Sequence, residues 1–156
     1  SKKVRENIEK NLIFFKFGKS RDSGKIQSKL QKKIKTSKNT YKNLVFKMNK
    51  ITLDFKNTMK SGNLRRLGYL QNKNWLLKKK MNKDISNNDI NHLYSKIIKM
   101  GAYGGKILGA GNSGYLMINA NKQNQTRIAG FLNRFGFKEE KIKFSDKGLE
   151  IFKKKL

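Results

Sequence analysis

The sequence predicts an α+β domain, and three observations carry that prediction. A Phe-rich apolar run closed by glycine near the start reads as a buried strand. Several segments with helical stripes follow it. A glycine-rich segment then sits between two short apolar runs, with one more helical stripe and two further short runs behind it. The order strand, helices, strand, strand, helix, strand, strand is that of an α+β layer arrangement.

Taken in order, "NLIFFKFG" (11–18) is the first strand. "SRDSGKIQSKLQKKIKTS" places Ile26, Leu30 and Ile34 four apart, the pattern of a basic amphipathic helix. "TYKNLVFKMNKITLDFKNTMKSG" gathers Leu44, Met48, Ile51, Phe55 and Met59 on one face and stops at Gly62. "NLRRLGYLQNKNWLLKKKM" reads as a further helix interrupted at Gly68. "SNNDINHLYSKIIKMG" has Ser86 or Asn87 as a cap, Asp89 in its first turn, and a stripe of Ile90, Leu93, Tyr94, Ile97 and Ile98 that ends at Gly101. "GGKILGAG" and "GYLMIN" are two strands around a glycine loop. "QTRIAGFLNRFG" is a helix presenting Ile128, Phe131, Leu132 and Phe135, and "EKIKFSDKGLEIF" reads as two short strands joined by a turn at Ser145–Gly148.

Length and composition bound the function. The 156 residues, 36% hydrophobic with ten Phe, five Tyr and one Trp, suffice for one domain with a real core. Without cysteine there is no disulfide framework, thiolate metal site or thiol nucleophile, and the single histidine, His92, argues against His-based triads and multi-histidine metal sites. His92 lies off its helix's apolar stripe and reads as a surface residue. No apolar run approaches the ~20 residues of a membrane span. The basic opening "SKKVRENIEKNLIFFKF" is too interrupted for a signal peptide, so a reduced cytoplasmic setting is expected, with an organellar matrix as the alternative. The ten acidic residues are scattered, with no carboxylate pair spaced for acid–base work.

Charge is the extreme feature: 38 Lys and Arg against 10 Asp and Glu, a formal net of +28. An AT-rich coding sequence would enrich Lys, Asn and Ile together, but it would enrich Glu as well and so does not explain the shortage of acids. A field this positive binds polyanions, which makes RNA an expected partner under one reading of the chain. Phe14, Phe15 and Phe17, interleaved with Lys16 and Lys19, fit either a core strand or a single-strand nucleic-acid surface, and the core is the commoner arrangement.

"GAYGGKILGAGNSGYLM" (101–117) is the most unusual stretch, with six glycines in its first fourteen residues. Glycine loses the most backbone entropy on folding, so such density asks for a reason. Phosphates bind where backbone N–H groups converge without side chains in the way, and a tight strand-loop-strand connection kept only for folding would also use it. A free-standing phosphate loop is excluded, because no Gly-Lys-Ser/Thr follows at the required spacing.

The stretch resembles the third conserved motif of the GHMP kinases, the small-molecule kinases named for galactokinase, homoserine, mevalonate and phosphomevalonate kinases. It is most similar to the branch that phosphorylates heptose 7-phosphate. "NWLLKKKMNKDISNNDINHLYSKIIKMGAYGGK", "FFKFGKSRDSGKI" and "FSDKGLEIF" resemble further segments of that branch in the same order. The resemblance implies an antiparallel sheet with helices packed on one face, and it covers only the family's C-terminal half. The N-terminal half of such kinases carries a Pro-x-x-x-Gly-Leu-Gly-Ser-Ser-Ala phosphate loop that nothing here resembles. The expectation is half of a two-part site, inactive alone.

By position in that motif, Gly104, Gly105, Lys106, Gly109, Ala110, Gly111, Asn112, Ser113 and Gly114 belong to the loop that shapes the phosphate and ATP site. Asn112 and Ser113 stand where glycines are usual; Asn tolerates a left-handed backbone, whereas Ser113 adds a side chain. Arg21, Trp75 and Lys78 match positions that imply contacts with a sugar phosphate. Each has a plainer reading: Arg21 as a surface arginine, Trp75 as packing, and Lys78 to Lys80 as part of the basic surface. The resemblance implies ATP and Mg²⁺ as cofactors, a sugar phosphate as substrate, and a partner domain or chain. The competing expectation is a kinase-derived basic module that binds RNA within a ribonucleoprotein.

Overall fold

The computed structural model describes residues 1–17, 23–109 and 113–145. Helix α1 (Lys2–Lys10) precedes strand β1 (Leu12–Phe17). Helices α2 (Ser23–Thr36), α3 (Lys38–Ser61) and α4 (Leu64–Met81), a 3-10 turn at Lys83–Ile85 and helix α5 (Asn88–Lys99) follow. Strands β2 (Gly104–Leu108) and β3 (Gly114–Asn119) form a hairpin, and helix α6 (Lys122–Arg134) leads to strand β4 (Lys138–Glu140).

The asparagines that crowd this sequence do local work at helix starts. Asn63, Asn87 and Asn121 are the N-caps of α4, α5 and α6, their side chains accepting from the backbone N–H of Arg66, Ile90 and Asn124. Each such cap stabilises its helix by about 1 kcal/mol. Gly62 ends α3 in the left-handed conformation (φ 70°), as the sequence predicts.

The sheet is antiparallel throughout, in the order β2-β3-β1-β4. Since β3 runs against both β1 and β2, those two are parallel with β3 inserted between them, a split βαβ unit whose crossover is α2 to α5. The register stacks Ile13 on Ile118, Phe15 on Leu116 and Ile107 on Leu116, so alternate residues of three strands make one apolar face. Trp75, Ile97, Ile128 and Leu132 from α4, α5 and α6 close over that face, and all four are fully buried. The opposite face, carrying Leu12, Phe14, Lys106 and Met117, looks toward α1 and α3 across a cavity.

Three expectations change. Helix α1 is not anticipated from the sequence: Ser1 caps it and Ile8 is its one buried residue, too sparse a stripe to read. Gly68 does not interrupt α4, which runs unbroken from Leu64 to Met81. It is glycine because α4 presses against the start of β2. A Cβ at Gly68 would lie 2.6 Å from the Tyr103 carbonyl carbon, and one at Gly104 would overlap the Gly68 carbonyl oxygen. Finally, the first of the two expected closing strands starts earlier than the run read for it, spanning Lys138–Glu140. Lys141, Ile142 and Lys143 are exposed, with no burial to hold them in an extended ladder. The second strand and most of the turn at Ser145–Gly148 lie outside the described residues.

Candidate functional site

The β2–β3 hairpin delivers the glycine loop to the C-terminal end of α4. β2 ends at Leu108, Gly109 turns the chain with φ 88°, and β3 resumes at Gly114, where Leu108 pairs with Tyr115. At the base of this loop two lysines from distant parts of the sequence come together. Lys78, in the last turn of α4, donates from Nζ to the carbonyl oxygen of Gly109 at 2.8 Å. Lys106, on β2, donates to Asn74 Oδ1 at 3.0 Å. Asn74 and Lys78 are one helical turn apart, so a single edge of α4 holds both contacts.

The site's electrostatics follow from what is missing around these ammonium groups. Burial lowers the pKa of Lys78 from the ordinary 10.5, and repulsion from Lys106 lowers it further. Burial alone lowers Lys106. No hydrogen bond or ion pair described for either lysine ends on a carboxylate. Two half-buried cations that repel one another, with no carboxylate against them among the described residues, form a place where an anion relieves both costs. Lys79, the next residue, is spent differently: it donates to Asn91 Oδ1 at 2.9 Å and lies 5.8 Å from the centre of the Trp75 ring.

A pH dependence of opposite signs follows. In the window between the lowered folded values and 10.5, the unfolded chain binds more protons than the native one, so stability rises with pH. Anion affinity falls across the same window, because the folded ammoniums discharge there. Melting temperature and phosphate affinity measured from neutral pH to pH 10.5 are expected to move in opposite directions; a parallel fall of both contradicts this account of the pair.

The glycines of the motif divide by cause. Gly104 and Gly105 serve packing: a Cβ at Gly105 would strike the Met117 carbonyl oxygen, as one at Gly104 would strike Gly68. The Gly105 carbonyl also accepts from the Tyr94 hydroxyl at 2.9 Å, and burial holds that phenol protonated well above its usual pKa. Gly114 is crowded by the Leu108 carbonyl oxygen, 2.9 Å from where its Cβ would stand. Gly109 has nothing among the described residues within 4 Å of that point, which leaves its backbone open to a ligand. Ser113, next to Gly114, is half-buried.

Of the residues singled out in the sequence, Lys78, Lys106, Gly109, Ser113 and Gly114 are thus brought to one end of the hairpin. Arg21, Ala110, Gly111 and Asn112 lie outside the described residues. Trp75, at 0% exposure, sits inside the core, where its ring packs, the plainer of its two sequence readings. Asn74 was not anticipated, although its spacing of four from Lys78 on a helix is the signal that would have found it.

No family model matches the chain, and no curated protein matches it in sequence. Solved structures do match in shape. The mevalonate kinase of L. major in complex with R-mevalonate superposes with a TM-score of 0.72 at 22% identity, over 79% of this chain and 37% of that one. A Methanococcus jannaschii mevalonate kinase gives 0.65 at 21%, over 88% and 41%. A D-glycero-D-manno-heptose 1-phosphate kinase from Bacteroides thetaiotaomicron gives 0.62 at 15%, over 98% and 40%. The chain therefore has the fold of a GHMP kinase C-terminal-like domain, and it spans about two fifths of the length of those kinases.

Proposed function

We propose that this domain, with its GHMP kinase C-terminal-like fold, supplies one wall of the phosphate site of an ATP-dependent sugar or sugar-phosphate kinase. The observation that carries the reading is the pair Lys78 and Lys106 at the base of the loop, each bonded to a neutral oxygen. In such a reaction the enzyme positions a hydroxyl against the γ-phosphate and neutralises developing charge, which is work for ammonium groups and backbone N–H dipoles. Lys78 holds the loop at Gly109 while Lys106 offers charge from the strand. Catalysis needs the other wall, contributed by a further domain or chain, and this domain alone is not expected to turn over.

The fit to the implied cofactors is uneven. Two unneutralised cations suit the phosphates of ATP. For Mg²⁺ the residues do not fit: no group of three or more His, Asp or Glu gathers among the described residues, so no step is assigned to a metal here. Titration with ATP tests the proposal. Saturable shifts in the backbone amide signals of Gly109, Ser113 and Gly114 are expected; shifts spread evenly over the lysine-rich helices, with none at the loop, contradict it.

A second reading, a basic module that binds RNA, is favoured by α2 and α3. The five lysines of α2 and six of α3 are opposed by one aspartate, and no residue of α3 is fully buried. Phe46 stands 57% exposed beside Lys50, an aromatic available for stacking on a base. Under this reading RNA affinity falls steeply with salt, and changing Lys47, Lys50 and Lys56 to Gln flattens the slope by about 2–3. A slope unchanged by those substitutions removes this surface from consideration. Among the described residues no helix is long and apolar enough to cross a membrane.

A further inference from the structure

The reverse face of the sheet holds a cavity of which the kinase reading uses only Lys106 and Asn74. It measures about 380 Å³, at the lower end of the ~300–1,000 Å³ typical of small-ligand sites. Leu12 and Phe14 of β1, Met117 of β3, Leu67 and Leu70 of α4 and Phe55 of α3 supply most of its wall. A site for a bare sugar would need polar groups around each hydroxyl, since buried polar groups left unpaired are costly. Among the described residues only four polar side chains reach this cavity, namely Thr52, Gln71, Asn74 and Lys106.

Two of those four point to a ligand. Lys106 is the one charged side chain of the cavity among the described residues, and Asn74 Oδ1, 3.0 Å away, is its neutral partner. Gln71 is 4% exposed, and its Oε1 has no hydrogen-bond partner among the described residues. An orphaned buried amide is unusual enough in a native protein to require an explanation. Because the amide's oxygen and nitrogen exchange on a flip, it can serve an acceptor or a donor on a bound molecule.

We infer that this cavity binds a single-chain amphiphile: an apolar body between α3, α4 and the sheet, and an anionic carboxylate or phosphate head on Lys106, with the Gln71 amide beside it. The apolar body is held by removing its surface and that of the cavity wall from water. The head group gives Lys106 a counter-charge that no described residue supplies. The inference does not rest on kinase activity, although it shares Lys106 with the phosphate site.

Decanoate, decyl phosphate and decanol, each titrated by calorimetry into the intact chain, provide the test. Both anions are expected to bind with one saturable site per chain and to raise the melting temperature, and whichever anion binds tighter identifies the head. Lys106→Met is expected to weaken both anions about tenfold while leaving decanol unchanged. Met117→Trp, which fills the cavity, is expected to abolish binding of all three. Should Met117→Trp fail to fold, Leu70→Phe on the facing wall replaces it. Binding at many equivalent sites, or binding indifferent to both the charge and the filling substitutions, reduces these probes to surfactants on a basic surface and overturns the inference. An intact amphiphile site in a chain that fails to bind ATP would leave the inference standing and the kinase reading refuted.

Discussion

Gly104→Ala is expected to destabilise the domain by about 3 kcal/mol, a large part of a single domain's stability. The new Cβ would overlap the Gly68 carbonyl oxygen, and neither side of that contact is a flexible side-chain end that can swing away. Helix α4 would have to lift from β2, carrying Trp75 out of the core and Lys78 away from Gly109. Gly109→Ala is the control within the same motif. Its Cβ meets nothing within 4 Å, so only the left-handed backbone at φ 88° is penalised, by roughly 1–2 kcal/mol. Urea unfolding of the two variants measures the difference, and equal losses would show that the motif's glycines are not divided between packing and loop as described.

Lys78→Met and Lys106→Met are each expected to weaken ATP binding about tenfold, the scale of a lost charge-assisted hydrogen bond. The double variant should lose less than the product of the two, because neighbouring charges that repel one another do not act independently. Stability should behave differently. Removing a desolvated ammonium with no carboxylate partner among the described residues takes away a cost, so neither single variant is expected to lower the melting temperature at neutral pH. A variant that loses affinity without losing stability locates the pair's role in binding.

β1 to β3 and the helices α2 to α6 follow from stripes, caps and glycine stops, because their patterns match the local periodicities. Gly68 misled for a physical reason: sequence periodicity sees a weak helix former, whereas the contact that demands it comes from Tyr103 and Gly104, far along the chain. Trp75 was ambiguous because stacking on a ligand and filling a core use the same ring. Lys78 and Lys106 were each visible, but their meeting depends on α4 lying along the β2 edge, a tertiary fact without a local signal. Short β4 and sparse α1 are held by partners distant in sequence, β1 for the strand and α3 beside the helix.

The central claim is that the loop between β2 and β3, with Lys78 and Lys106 at its base, is a phosphate-binding wall and not merely a tight connection in a basic protein. Calorimetric ATP titration at moderate salt, comparing the parent chain with Lys106→Met and with Lys47→Met on exposed α3, tests it most directly. The account predicts a single class of site, weakened about tenfold by Lys106→Met and unaffected by Lys47→Met. Equal small losses from both substitutions would mean that ATP reads only the overall charge of +28, and the glycine loop would then be scaffold alone.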